Sequence, residues 1–355
     1  MNPNFWKNKT VLVTGHTGFK GSWISIILKK FGANVVGFSK DIPTNPSMYK
    51  IASVNDEMKS IIGNINDSKH IKQVFEQNKP EIIIHMAAQA IVRESYKNPL
   101  ETFSTNVMGT ANILDAIRNS DSVKVCIIVT SDKSYRTKTD NSKYFEDDPM
   151  GGYDPYSSSK GCAELVTSSY RNSFFNPSKF QEHQISIASV RAGNVIGGGD
   201  WGIDRLFPDI MRGIQNNSKI MIRNPESTRP WQFVLDPLFG YILLAEKMWE
   251  CGKKFSQGWN FGPTKDDEKS VRWITEFIKN NTNKEINFEM DSSSQPHEEK
   301  YLKLDCTKAI SELGWKSKMD IEKTLLWTLK WYLAYFDGKN MKEFSEKQIN
   351  EFITE

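Results

Sequence analysis

Short unbroken apolar runs alternate with amphipathic stretches along the first half of the chain. Thr10 to Thr14, Asn34 to Phe38, Glu81 to His85 and Lys124 to Thr130 are predicted strands, with helical patterns between them. The runs EIIIH and KVCIIVT do not alternate apolar with polar positions, which is the pattern of a strand covered on both faces. Such strands separated by helices predict an α/β fold built on a doubly wound parallel sheet. A further strand, Ile185 to Arg191, follows a helix predicted from Pro155 to about Phe174.

Beyond residue 191 the texture changes. Asn194 to Asp200 is rich in glycine, and later segments are shorter and mixed. We expect one unit over residues 1–191 and a smaller mixed α/β lobe over 192–355, with segments near 232–262, Trp259 to Gly262 among them, returning a strand to the first. Ile321 to Phe336 is predicted as one amphipathic helix, and Lys339 to Glu355 as a charged helix or loop. A 38% hydrophobic content with 12% aromatic residues supplies a sizeable core. No window approaches the roughly 20 apolar residues that cross a bilayer, and the first residues lack a signal-peptide pattern, so a cytoplasmic protein is expected. A net charge of +3 from 46 basic and 43 acidic side chains gives no reason to expect nucleic-acid binding. Cys126, Cys162, Cys251 and Cys306 are scattered, with no histidine at ligand spacing, so neither a metal nor a disulfide framework is indicated.

Chemistry enters first at VLVTGHTGFKGSWISIILKKFG. Gly15, Gly18 and Gly21 follow a predicted strand directly and open a helix. The first allows a tight turn, the second lets backbone approach a pyrophosphate, the third permits close helix packing, and the helix-terminal N–H groups receive the anion. This is the turn of a Rossmann-type dinucleotide-binding unit, with His16, Thr17, Phe19 and Lys20 filling the positions between the glycines. At the end of the second strand, where NAD-selective enzymes usually carry an acid for the ribose, the aligned residue is Ser39. Lys40 beside it suits a 2′-phosphate, so this stretch alone leans toward NADP. Asn64 in IIGNI, at the end of a short apolar run, is a candidate contact for the adenine, since its amide can donate or accept.

The segment DPYSSSKGCAELV places Tyr156 and Lys160 at i and i+4, on one face of a helix. An ammonium beside a phenol stabilises the phenolate and lowers its pKa from about 10, which makes the phenol a usable base. Ser131, in VTSDKSY, lies at the carboxyl end of a predicted parallel strand, where open α/β sheets form their sites, and can bond a substrate oxygen that becomes a carbonyl. A Tyr-x-x-x-Lys spacing alone is weak, but it gains meaning from the glycine turn and from Ser131.

The order of TGHTGFKG, HMAAQ, TSDK and PYSSSK resembles the extended short-chain dehydrogenase/reductases that modify nucleotide sugars. GHTGFKGSW, STNVMGT, SVRAGNVIGGGDW, DRLFPDI, RPWQ and WNFGP narrow the resemblance to the 4,6-dehydratases of that family, and it runs from Gly15 to near Asp305. The resemblance implies a bound NAD, in preference to NADP, that ends each turnover as it began. It implies that a nucleotide hexose, CDP-glucose above all, is oxidised at C4, loses water across C5 and C6, and takes the hydride back at C6. Ile65 and Ala87 are then further dinucleotide contacts, and Asn194, Arg205 and Arg229 hold the substrate, with phosphate favoured for Arg229 and a structural ion pair as good a reading for Arg205. By position Tyr156 takes the C4 hydroxyl proton, Lys160 holds the nicotinamide ribose and Ser131 orients the hydroxyl.

Asp132 and Lys133 stand where many such dehydratases carry an Asp-Glu acid–base pair. For Lys133 to act as the base its pKa must fall from about 10.4 to near 7, a cost of about 4 to 5 kcal/mol. The rival is Lys133 as a fixed cation with another group taking the C5 proton. Trp201 and Trp231 suit a base or sugar as well as a core. Similar enzymes are commonly homodimers or homotetramers formed through packed helices. Two alternatives share the glycine turn and the Tyr156/Lys160 pair: a nucleotide-sugar 4-epimerase, and a dinucleotide-binding regulatory protein without catalysis.

Overall fold

The computed structural model describes residues 1–140, 142–263, 268–282, 286, 288–290 and 303–355. The first half runs β1 (Thr10–Thr14), α1 (Phe19–Lys30), β2 (Asn34–Ser39), β3 (Lys59–Ile62), α2 (Ser68–Asn78), β4 (Ile82–His85), α3 (Gly109–Arg118), β5 (Val125–Val129), α4 (Pro155–Phe174) and β6 (Ser186–Ala192). There follow β7 (Asn194–Ile196), α5 (Leu206–Asn216), β8 (Ile220–Ile222), β9 (Thr228–Phe233), α6 (Leu235–Glu250), β10 (Gly258–Phe261), β11 (Glu268–Ser270), α7 (Val271–Asn280), β12 (Phe288–Met290), α8 (Ile321–Phe336) and α9 (Met341–Thr354). Seven strands form one parallel sheet in the order β10-β6-β5-β4-β1-β2-β3, so the segment near 258 does return a strand to it.

The strand sequences explain the sheet's burial. Val11 and Val13 face one core with Trp23, Ile24, Ile27 and Leu28 of α1, while Leu12 between them faces a second core with Ile83, Ile113 and Leu114. Every side chain of β1 beyond Thr10 is therefore buried, at about 1.5–3 kcal/mol for each large aliphatic group. The strand order reverses between β1 and β4, which opens a crevice at their carboxyl ends. Thr14 ties the two ends together: its Oγ1 lies 2.7 Å from His85 Nδ1 and accepts the N–H groups of Met86 and Ala87.

α4 starts at Asp154, whose carboxylate accepts the Ser157 N–H at 3.0 Å, with Pro155 in the first helical position. Its inner face carries Tyr156, Lys160, Ala163, Glu164 and Thr167 at helical spacing. Glu164 receives Arg191 of β6 through two bonds of 2.8 Å, and also the hydroxyls of Thr130 and Ser189. Arg191 reaches on to the Tyr135 hydroxyl, which donates to Asn260 of β10. This satisfied buried network brackets the segment from Thr130 to Tyr135.

The remaining strands form two small sheets, β11-β9-β7 and β12-β8. Between β7 and α5 the three glycines Gly197, Gly198 and Gly199 are hemmed in: a Cβ on them would lie 2.5 Å from Val234, 2.0 Å from Trp331 and 2.4 Å from Met48 respectively. The Gly198 carbonyl accepts the Trp23 indole N–H at 2.9 Å, so Trp23 of α1 and Trp331 of α8 hold this loop from two sides. Among the described residues no helix is long and apolar enough to cross a membrane.

Candidate active site

A cleft of about 770 Å³ lies over the carboxyl ends of the central strands and reaches into the small sheets. Its floor is the glycine turn. Gly15 has φ +78°, and a Cβ there would lie 2.8 Å from the Ala87 nitrogen; one on Gly21 would lie 2.0 Å from the Gly15 carbonyl oxygen. Backbone therefore meets the cleft where side chains have no room, as a pyrophosphate at the α1 N-terminus requires. Thr17, Gly18, Phe19 and Lys20 continue this wall, and Ser39, Asn64, Ile65 and Ala87 line the cleft beyond it. These residues fit a dinucleotide.

His16 does not. Its ring is fully buried away from the cleft, packed where a Cβ on Gly37 would touch it, with Nδ1 2.8 Å from Ser39 Oγ and Nε2 2.7 Å from Ser60 Oγ. Burial holds it neutral, with a pKa of about 4. Its side chain props the turn from behind and does not line the cleft, because the absent side chain of Gly37 leaves it a berth in the core. Ser39 is drawn into the same support, since its hydroxyl also accepts the Thr17 N–H at 3.3 Å. Lys40 does not offer an open cation to a 2′-phosphate: Glu101 holds its ammonium at 2.9 Å and lines the cleft beside it. No sequence signal pointed to Glu101, which arrives from a helix 61 positions away.

At the other end of the cleft Ser131, Asp132, Lys133, Tyr156 and Lys160 come together. Ser131 caps the short turn Asp132–Ser134, with its Oγ accepting the Lys133 N–H at 3.2 Å and donating to Asp132 Oδ1 at 3.0 Å. The second oxygen, Oδ2, is buried and has no hydrogen-bond partner among the described residues; a Cβ on Gly193 would lie 2.9 Å from it. Lys160 Nζ donates to the Val129 carbonyl at 3.3 Å. Burial, then the nearby charge of Lys20, lowers the Lys160 pKa to about 8.

The Tyr156 phenol departs from the sequence-based expectation. Burial pushes its pKa up to about 12, against the opposing influence of the Ser131 hydroxyl and the Arg205 guanidinium, with Asp132 adding to the rise. Desolvation of the phenolate outweighs the cations around it in the protein alone. The proton therefore rests on Tyr156 until further positive charge enters the cleft.

Asn194, Arg205 and Arg229 all line the same cleft. Arg205 Nη1 bonds both carboxylate oxygens of Asp200 at 3.0 and 2.9 Å, which raises the guanidinium pKa further. Arg205 is thus ion-paired and cleft-lining at once, and Asp200 is a site residue that spacing did not single out. Asn194 presents a buried amide nitrogen without a partner among the described residues. Trp201 packs edge-on against Tyr332 and Tyr335 of α8, and the Trp231 indole donates to the Lys269 carbonyl; both residues also line the cleft.

The model of the GDP-mannose 4,6 dehydratase family matches residues 12–326. The chain belongs to this family of extended short-chain dehydrogenase/reductases. This family member is 49% identical to the CDP-glucose 4,6-dehydratase of Salmonella typhimurium over 100% of this chain and 99% of that protein. It is 28% identical to the dTDP-D-glucose 4,6-dehydratase of Mus musculus, over 97% of this chain and 93% of that one. Its fold is that of the dTDP-glucose 4,6-dehydratase of Streptomyces venezuelae solved with NAD bound, at TM-score 0.78 and 20% identity over 93% and 98% of the two chains. UDP-glucose 4-epimerase of Thermotoga maritima matches similarly, at TM-score 0.77 and 21% identity over 92% and 99%.

Proposed function

We propose that this protein dehydrates a nucleotide-linked hexose, CDP-glucose in the first instance, to the 4-keto-6-deoxy sugar nucleotide, with NAD as a recycled cofactor. One observation carries this over an epimerase: Asp132, whose Oδ2 is buried and has no hydrogen-bond partner among the described residues, lines the same cleft as Ser131, Tyr156 and Lys160. Epimerisation at C4 needs only the last three, whereas loss of the C6 hydroxyl needs an acid beside them. The 49% identity to a CDP-glucose 4,6-dehydratase supports cytidine and glucose as base and sugar.

The glycine turn, Thr17, Phe19, Asn64, Ile65 and Ala87 hold the dinucleotide, and Glu101 against Lys40 supports NAD over NADP, since its carboxylate would repel a 2′-phosphate. A dinucleotide held by these residues would supply the hydride acceptor for C4 and the hydride donor for C6. Ser131 orients the C4 hydroxyl and Tyr156 takes its proton, with Lys160 and Arg205 supplying positive charge. Asp132 passes a proton to the departing C6 hydroxyl, and Lys133 takes the C5 proton. Arg229, Arg205 and Asn194 hold the diphosphate. Met108, just before α3, and Leu165, on α4, are large apolar side chains 55% and 60% exposed, and support a homodimer or homotetramer packed through these helices. Incubation of purified protein and NAD with a panel of nucleotide hexoses tests the reading. A keto product lighter by one water is expected; an epimer of unchanged mass overturns it.

A further inference from the structure

Thr14, His85, Thr110, Asn106 and Ser159 form one chain of hydrogen bonds that is buried from end to end, each residue being at most 2% exposed. It begins at the floor of the cleft. Thr14 Oγ1 accepts the N–H groups of Met86 and Ala87 at 3.1 and 3.2 Å, and both of these residues line the cleft. The Ala87 nitrogen is also the atom that a Cβ on Gly15 would approach to 2.8 Å, so this stretch of backbone and the glycine turn together set the gap between the ends of β1 and β4.

The direction of every bond in the chain follows from counting hydrogens. A hydroxyl has one hydrogen and two lone pairs. Both lone pairs of Thr14 are taken, so its hydrogen goes to His85 Nδ1 at 2.7 Å. The proton of the neutral ring is then on Nε2, which donates to Thr110 Oγ1 at 3.2 Å, and Thr110 donates in turn to the Asn106 carbonyl at 2.7 Å. From Asn106, in the π-helical turn Ser104–Met108, Nδ2 donates to Ser159 Oγ at 2.8 Å, and Ser159 donates to the Tyr156 carbonyl at 2.7 Å. The other tautomer breaks this sequence: it aims an N–H at an oxygen with no lone pair left and strands the Thr14 hydrogen.

We infer that His85 is a positioning residue, a neutral ring with its proton fixed on Nε2, which holds the dinucleotide floor through Nδ1 and the first turn of the Tyr156 helix through Nε2. The Nδ1 half rests on the dinucleotide site, and the Nε2 half on the reading of Tyr156 as the group that serves C4. Without the Nδ1 bond, Thr14 is free to turn away from Met86 and Ala87. Without the Nε2 bond, Thr110 no longer steadies Asn106, and Asn106 no longer steadies Ser159 against the Tyr156 carbonyl. Burial, then the charge of Lys160, holds the His85 pKa at about 3, so the ring keeps this one tautomer at working pH. Protonation would aim a second donor at Thr14 and set a further cation beside Lys160.

Two variants separate the halves. Asparagine can place its oxygen where Nδ1 lies and keep the bond to Thr14, whereas glutamine reaches the place of Nε2 and keeps a donor for Thr110. By calorimetry without substrate, His85→Asn is expected to bind NAD within about twofold of wild type, and at saturating NAD to form reduced nicotinamide from CDP-glucose about 10-fold more slowly. His85→Gln is expected to bind NAD about 10-fold more weakly and, once saturated, to form reduced nicotinamide at close to the wild-type rate. A third measurement needs no variant: 15N NMR of the wild-type ring should show Nε2 protonated and Nδ1 bare down to about pH 5. A proton on Nδ1 overturns the inference. So do equal effects on affinity and rate in the two variants, as a histidine that only packs would give. If the wild type binds NAD but oxidises no nucleotide hexose, the C4 reading and the Nε2 half fall together, while calorimetry and NMR decide the Nδ1 half by themselves.

Discussion

Replacing Gly193 with alanine probes the role of Asp132 by displacing its carboxylate while leaving its chemistry unchanged. The new Cβ would lie 2.9 Å from Asp132 Oδ2, 3.6 Å from its Cγ and 3.9 Å from Pro230 Cγ. Ordinary contacts of this kind begin near 3.4 Å, so the carboxylate must shift by about half an ångström, while the surrounding backbone has room. A shift of a side-chain tip costs little stability, about 1–3 kcal/mol at most for an added methyl group in a packed site. Catalysis is more sensitive: a misplacement approaching 1 Å lowers rates by about 100-fold. Gly193→Ala should therefore fold, bind NAD and oxidise C4, but eliminate water about 10- to 100-fold more slowly. Reduced nicotinamide would accumulate during turnover, visible by absorbance, while the dehydrated product forms slowly. Full dehydration rates with an unchanged melting temperature would refute the assignment of Oδ2 to the reacting end of the cleft.

Tyr156→Phe should remove C4 oxidation itself, by about 100- to 10,000-fold, so that no reduced nicotinamide forms in a single turnover; a normal burst would contradict the role of the phenol. Glu164→Gln leaves the Arg191 charge buried without its counter-charge and should cost about 3–5 kcal/mol in urea denaturation. Burial raises the Glu164 carboxyl, but Arg191 and its hydrogen bonds bring it below the ordinary value, so its contribution is complete above that value and fades on acidification. His16 works with the opposite charge. Its pKa of about 4 against 6.5 when unfolded means that the unfolded chain takes up the proton first, so stability is full above pH 6.5 and falls toward pH 4, by about 3 kcal/mol. Unfolding midpoints across that range should show the loss, and His16→Gln should reduce it.

The long elements were legible because their patterns are long. Helices Pro155–Phe174 and Ile321–Phe336 and the central strands appear at the predicted positions, since a continuous apolar run or a helical stripe repeats its signal many times. The strand Lys59–Ile62 was not read, because it is four residues at a sheet edge with little buried surface to leave a pattern. The site divided along similar lines. Glycine spacing and the Tyr156/Lys160 pair are local and could be read; the partners Glu101 for Lys40 and Asp200 for Arg205 depend on how the chain folds back. His16 was misplaced because sequence adjacency to the glycines says nothing about which side of the turn a ring takes. The sign of the Tyr156 shift was missed for a related reason, as desolvation is a property of the folded surroundings that no spacing records.

The hold of Trp23 and Trp331 on Gly198 divides the wall of the cleft into inherited and adaptable parts. A side chain at Gly197, Gly198 or Gly199 must displace Val234, Trp331 or Met48, so a lineage changing its sugar or base has almost no neutral path through those positions. Ile203, Asp204 and Arg223 also line the cleft but sit outside this grip, and Ile203 is 66% exposed. Divergence in substrate choice among descendants of this chain should accumulate there first, while the glycine triplet persists.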